Sequence, residues 1–432
     1  MDTVKRYAIV GAGGRHEMYR DAILGEYAAG ALLTGVCDNN IGRAQLSATW
    51  AREQYGQEIP VYDADHFDVM IRETAPDIVI VTTKDSLHDR YICRAMELGC
   101  DVITEKPMTI DAERCNAILE VQRRTGRQLR VTFNYRYSPP RTQVKQLLMN
   151  GVVGAIESVD FHWMLDTSHG ADYFRRWHRN RENSGGLLVH KATHHFDLVN
   201  WWLDAVPETV YGTGRRAFYV PQTARRLGLE HCSERCHNCP ESASCPFYLS
   251  LKDNAHLRAL YLEQEPHDHY YRDRCVFSEA IDIEDSMALA VVYSNGARMS
   301  YSLNAFMPWE GYTIAFNGSQ GRLEHKCEES VYINADGSVP GALKREGTYI
   351  RVYPHFAPAY EEPVWEAIGG HGGGDELLLQ DIFDPDANRD DQYGCRADHR
   401  QGAWSILTGI AANVSMQRGE PVATRPLAPA LR

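Results

Sequence analysis

The apolar run Tyr7-Ala-Ile-Val10 meets Gly11-Ala-Gly-Gly-Arg-His16 and passes straight into helical sequence through Tyr27. An apolar strand that turns on glycine into a helix is the building unit of a doubly wound parallel sheet. The same grammar recurs downstream. Leu32 to Cys37 reads as a strand ending in Asp38, and Ile78-Val-Ile-Val81 is followed by Thr82-Thr83 and a helix from about Ser86 to Leu98. Asp101-Val-Ile-Thr104 leads into Glu105-Lys106-Pro107 and another helix to about Arg124, and Val131-Thr-Phe133 closes the series.

Past Tyr137 the pattern changes. Val159 to Trp163 alternates, and Ala288 to Tyr293 is joined to Met299–Leu303 by Asn295-Gly296, a hairpin signal. Thr313 to Phe316 and Arg322 to Glu324 read as further strands, residues 330–395 show no clear period, and Ala403 to Met416 reads as a closing helix. The expectation is an α/β protein in two parts. Residues 1–135 form an N-terminal Rossmann domain with a doubly wound parallel sheet. Residues 136–432 form a C-terminal α/β domain with a large, mostly antiparallel open sheet.

The bulk properties exclude other classes. With 432 residues, 44% hydrophobic and 24% charged, the chain has the composition of a soluble globular enzyme of two or three domains. A net charge of −13, with no basic stretch to offset it, argues against nucleic-acid and anionic-membrane partners. No run of eighteen apolar residues is present, and the N-terminus lacks the layout of a secretory signal. Eleven cysteines without a repeating framework suit a reducing compartment, so a cytoplasmic location is expected.

Gly11 and Gly13 supply the tight turn and the close backbone approach that a pyrophosphate at a helix N-terminus requires. Asp38, at the end of the second strand, stands where a carboxylate binds the adenosine 2′-hydroxyl and repels a 2′-phosphate, which favours NAD over NADP. His16 replaces the third glycine of the fingerprint. Lys106 follows a strand at the carboxyl edge of the sheet, where such sheets bind ligands, and desolvation there lets an amine exchange a proton with a substrate hydroxyl. The segment Ser184-Gly-Gly…His190-Lys-Ala-Thr-His194-His-Phe-Asp197 places His190, His194 and Asp197 at i, i+4 and i+7, one face of a helix. His-x-x-x-His is also a metal-ligand spacing, although no acidic third ligand lies nearby.

With Gly11-x-Gly13, Asp38, His88, Glu105-Lys106-Pro107 and the Gly-Gly…His-x-x-Asp segment at 185–197, the chain resembles the Gfo/Idh/MocA family. The resemblance implies a two-domain NAD(P)-dependent enzyme acting on sugars or cyclitols, often a dimer or tetramer. It implies a cofactor site comprising Gly11, Gly13, Gly14, Arg15, His16, Asp38, Thr82, Thr83, His88, Glu105, Lys106 and Asn134. Lys106 would help bind cofactor and substrate, and His194 would relay the hydroxyl proton. Family dehydrogenases usually carry an aspartate where this chain has His190. That exchange suggests added acid–base work, and some family members are glycosidases that oxidise C3, eliminate across C1–C2, add water and return the hydride. His190 then either orients the sugar or removes the carbon-bound C2 proton. A non-catalytic NAD-binding sensor is the reading from another class.

Arg136, Tyr137, Asp166, Arg176, Trp177, His178, Lys191 and His195 are candidate sugar contacts, since aromatics stack on a pyranose and Arg, Lys and Asp bond its hydroxyls. Trp201 and Trp202 read as core. Gly369-Gly-His-Gly-Gly-Gly-Asp375 reads as a flexible loop in which His371 has a weak claim on the site. Within a Cys-rich insertion around 228–250, Cys232, Cys236, Cys239 and Cys245 suit a tetrahedral structural zinc. Unmetallated thiols or disulfides, and an iron–sulfur cluster, are the alternatives.

Overall fold

The structure, a computed structural model, describes residues 4–330, 341–384, 386 and 390–431. Seven strands form the first sheet, in the spatial order Ala397–Asp398, Leu129–Val131, Asp101–Thr104, Ile78–Val81, Lys5–Val10, Ala31–Asp38 and Val61–Asp63. Neighbours are parallel except for Ala397–Asp398, which returns from far along the chain to pair antiparallel with Leu129–Val131. Helices cover both faces, so the central strands are apolar throughout: Ala8, Ile9, Val79, Ile80 and Val81 are wholly inaccessible to solvent.

The second sheet has nine strands, ordered Tyr360–Glu362, Tyr349–Pro354, Gly321–Glu329, Glu310–Gly318, Ile156–Asp166, Arg298–Met307, Ser286–Tyr293, Pro207–Arg215 and Val422–Ala423. Ile156–Asp166 and Arg298–Met307 run parallel, and every other pairing is antiparallel. Asn295-Gly296 makes the expected hairpin, with the Tyr293 amide donating to Ala297 O at 2.9 Å. Strand alternation shows in the burial: Met299, Tyr301 and Leu303 face inward, while the residues between them are exposed or half-buried. The inner face packs against helices Thr193–Leu203 and His399–Arg418. Trp201 and Trp202 are core as expected.

Two local expectations need correction. The histidine segment is two helices, Leu187–His190 and Thr193–Leu203, separated by Lys191-Ala192. His190 and His194 therefore sit on different elements, and Asp197 faces elsewhere. The glycine-rich stretch is not a free loop. It opens helix Gly370–Phe383, with His371, Gly372 and Gly373 in left-handed conformation, and it packs tightly on the first domain. A Cβ at Gly374 would stand 2.2 Å from Asn134 O.

Candidate active site

The first strand ends at Gly11, whose φ of +99° lies in the region that favours glycine. A Cβ there would fall 2.6 Å from the Thr82 carbonyl carbon and Thr83 N, so only glycine lets the two strand ends converge. Gly13 then caps helix Gly14–Leu24 with no side chain in the way, which leaves first-turn amides pointing into the cleft. Asp38 accepts the Ala12 amide on Oδ2 at 2.5 Å and the Asn40 amide on Oδ1 at 2.6 Å, so its carboxylate braces the glycine turn as well as facing the cleft. Burial raises its carboxyl above the ordinary range, opposed by Arg43 and the two amides. His16 does not line the cleft. It wedges between helices, Nδ1 2.6 Å from Gly13 O and Nε2 2.8 Å from Ser47 Oγ, in the space a third glycine leaves to close packing.

One cavity of about 250 Å³ runs from this cradle into the second domain. Gly11, Gly13, Gly14, Arg15, Asp38, Thr82, Thr83, His88, Glu105, Lys106 and Asn134 line it from the first domain. His190, Lys191, His194, Arg176, Trp177 and His178 close it from the second. This donor set and the tight glycine turn fit a dinucleotide.

Burial lowers the Lys106 amine to about 8, against the pull of Asp85 and Glu105. Burial first, and Lys106 second, hold His190 and His194 well below the usual imidazole range, so both rings are neutral at neutral pH. His194 stacks on Tyr135 with ring centroids 4.3 Å apart, and its buried Nδ1 finds no hydrogen-bond partner among the described residues. His190 Nδ1 lies 2.5 Å from Asp85 Oδ2. Asp85 starts the turn before helix His88–Glu97, and burial pushes its carboxyl well above the ordinary range. Sequence reasoning missed this residue; its place just after Thr82-Thr83, at the carboxyl end of a parallel strand, was the available signal.

Around this centre the charges are paired. Arg15 donates to Glu105 at 2.7 Å and to Asp375 at 3.3 Å. Asp375 also takes the Asn134 amide at 2.7 Å and meets His371 Nδ1 at 2.7 Å. Burial alone would raise Asp375, but His371 and Arg15 hold it well below the carboxylate range. His371, given a weak claim above, thus lines the cavity. Arg176 donates to Asp172 at 2.7 Å, and Trp177 stacks on His178 at 3.6 Å. Lys191 lies over the Trp163 ring, 4.9 Å from its centroid.

Four expected sugar contacts lie elsewhere. Arg136 makes a two-pronged ion pair with Asp197, both buried, with bonds of 2.7 and 2.6 Å. That pair claims Asp197 and removes it from the histidine face. Tyr137 donates to Asp381 at 2.7 Å. Asp166 caps helix Thr167–Arg175 by accepting the Ser168 amide. His195 sits in the core against Trp163, with Nδ1 2.7 Å from Tyr301 Oη. Arg136, Tyr137 and His195 find partners from distant stretches of chain, which sequence spacing does not report.

Cys232, Cys236, Cys239 and Cys245 do gather, and Cys275 joins them around one small apolar pocket. All are free thiols, so the disulfide alternative is not realised. Burial and then Cys275, Cys239 and Cys245 push the Cys232 thiol up to about 12. Among the described residues no group of three or more His, Cys, Asp or Glu side chains stands close enough to hold a metal ion. The zinc and iron–sulfur expectations are therefore not met by this arrangement. No helix among the described residues is long and apolar enough to cross a membrane.

A glycine-cradled parallel sheet opening onto buried lysine and histidines is the architecture of an NAD-binding oxidoreductase. The chain belongs to the Gfo/Idh/MocA family: residues 5–133 match its oxidoreductase NAD-binding Rossmann fold and residues 145–424 its oxidoreductase C-terminal alpha/beta domain. It is 39% identical over 386 residues to the protein YteT of Bacillus subtilis (strain 168), covering 85% of this chain and 86% of that one. It is 30% identical over 154 residues to the D-glucoside 3-dehydrogenase of Escherichia coli (strain K12), covering 35% of this chain and 41% of that one. The fold also matches the WlbA dehydrogenase of Bordetella pertussis, solved with NADH and UDP-GlcNAcA, with a TM-score of 0.64, 18% identity and 98% of each chain covered.

Proposed function

We propose that this protein oxidises a ring hydroxyl of a sugar or glycoside, at C3 of a pyranose, passing hydride to NAD. The supporting observation is the single cavity in which Lys106 and His194 meet the dinucleotide cradle. Bound there, NAD supplies the hydride acceptor. Lys106, with its amine near 8, and the neutral His194 take and relay the hydroxyl proton as the carbinol becomes a ketone. Arg176, Trp177, His178 and Lys191 hold the sugar, with aromatic faces against its apolar side. The C3 assignment draws on the likeness to a D-glucoside 3-dehydrogenase.

The His190–Asp85 pair favours a second reading, in which the same oxidation serves hydrolysis. A C3 ketone acidifies the C2 proton; neutral His190, oriented by Asp85, removes it, and the C1 substituent leaves. Water then adds and the hydride returns to C3, so no net NADH forms.

Incubation with aryl glycosides and free sugars in deuterated water, with NAD, tests both. Net NADH formation is expected for the dehydrogenase. Aglycone release with deuterium at C2 and no net NADH marks the hydrolase. Silence across the panel with NAD bound overturns both in favour of a sensor.

The cysteine group we assign a structural role, its thiols packing the insertion around one small apolar pocket. Serine substitution of Cys236 and Cys275 is expected to lower the melting temperature without changing the rate of sugar oxidation. A homo-oligomer, dimer or tetramer, working in the cytoplasm completes the proposal, with light scattering and fractionation as its tests.

A further inference from the structure

Strands Pro207–Arg215 and Ser286–Tyr293 are antiparallel neighbours, yet the chain makes a long excursion between them, residues 216–285. This excursion does not stay with its own sheet. Its turns Ala255–Leu257, Arg258–Leu262 and Glu265–Asp268 lie across the mouth of the dinucleotide cleft in the first domain. Tyr261 Oη accepts the Gly14 amide at 3.2 Å, one of the first-turn donors at which a pyrophosphate would sit. Gln264 O accepts Asn40 Nδ2 at 2.9 Å, and Asp268 pairs with Arg43, whose guanidinium is 3.6 Å from Asp38. Gln264 lies so close over Gly42 that a Cβ there would stand 2.0 Å from its Oε1.

These contacts reach the N-terminal ends of the first two helices of the dinucleotide fold, the ends that would hold the cofactor's phosphates and adenosine. A further observation points to a ligand. Tyr270 Oη is buried, has no hydrogen-bond partner among the described residues, and belongs to a residue lining the same cavity. The segment is braced from behind: Arg235 grips both Glu265 and Asp273, and Arg272 lies 4.6 Å from the Tyr261 ring centroid.

We propose that residues 255–272 form a strap that completes the cofactor site from within the same chain. Tyr261, Asp268 and Tyr270 are cofactor-site residues, and the strap keeps the dinucleotide bound through successive turnovers. A dinucleotide leaves only when the Tyr261–Gly14, Gln264–Asn40 and Asp268–Arg43 contacts part together. The inference uses only the NAD-binding fold and stands or falls separately from the choice of substrate.

The test is a cofactor measurement on the full chain with no substrate present. Protein purified without added nucleotide is desalted and its NAD content measured after acid release. Dissociation is then followed by fluorescence when NADH-loaded protein is mixed with excess NAD. Wild type is expected to carry NAD through desalting. Tyr261→Phe and Asp268→Asn are expected to release NADH at least tenfold faster. Arg235→Gln, which touches no part of the cleft, is expected to do so to a smaller extent, and circular dichroism confirms that each variant is folded. Wild type losing NADH as fast as the variants overturns the proposal. So does tighter nucleotide binding by Tyr261→Phe, because the hydroxyl would then be a plug competing for the Gly14 amide.

Discussion

His190 of the second domain and Asp85 of the first share a hydrogen bond of 2.5 Å across the domain seam, beside Lys106. Asp85 fixes which imidazole nitrogen carries the proton, leaving the other free as a base. Asp85→Asn keeps the shape and replaces the carboxyl with an amide. If His190 removes a carbon-bound proton, deuterium exchange at C2 falls about 10²-fold or more, the usual scale for losing a general base. Nucleotide binding by the variant stays within a few-fold of wild type. Mass spectrometry of recovered sugar reads the exchange, and an unchanged rate removes His190 from that role.

The Lys106 amine, near 8, gives the oxidation a pH signature. Below that value the amine is protonated and cannot accept the hydroxyl proton; above it the neutral amine can. The rate of sugar oxidation is therefore expected to rise with pH through about 8 and then level. Lys106→Arg keeps a cation at every working pH, so the rise vanishes along with most of the rate. Asp85 holds the Lys106 value up, so Asp85→Asn moves the inflection to lower pH. Initial rates at saturating NAD from pH 6 to 10 decide the matter.

The parts legible in the sequence are those written locally. Strand–glycine–helix order gave the cleft, because Gly11 and the carboxyl strand ends act within a few residues of each other. Lys106, His190 and His194, singled out by motif and position, line the same cavity. What escaped is tertiary. Arg136 and Asp197 are 61 positions apart, and their pairing empties two expected roles at once. Asp375 reaches Arg15 and Asn134 from the far end of the chain, turning a presumed loop into a cavity wall. Cys275 joins the other thiols only through the fold of the insertion.

Asp38 is expected to govern both affinity and cofactor choice. Its two oxygens are taken by the Ala12 and Asn40 amides, so Asp38→Ala strips two charge-assisted bonds from the glycine turn. NAD binding should weaken at least tenfold. NADP binding should weaken less or improve, since a 2′-phosphate no longer meets a carboxylate. Titrating NADH and NADPH fluorescence gives the ratio, and an unaltered preference would place the adenosine ribose elsewhere.

Asp197 separates a stabilising role from a chemical one. Its carboxylate accepts both prongs of the Arg136 guanidinium and the Ser405 hydroxyl at 3.1 Å, tying helices Thr193–Leu203 and His399–Arg418 to the segment behind the last parallel strand. Arg136 is 2% and Asp197 1% exposed. Asp197→Asn leaves a guanidinium in the core facing a neutral amide, which costs about 3–5 kcal/mol, the usual range for breaking a buried pair from one side. Asp197→Leu with Arg136→Met removes both charges and should recover much of that loss. The melting temperature is expected to fall sharply in the single variant and partly return in the double. In both, the pH inflection of the surviving activity should stay near that of wild type, because Asp197 does not line the cavity. A shifted inflection with an unchanged melting temperature would put Asp197 back among the residues that act on the histidines.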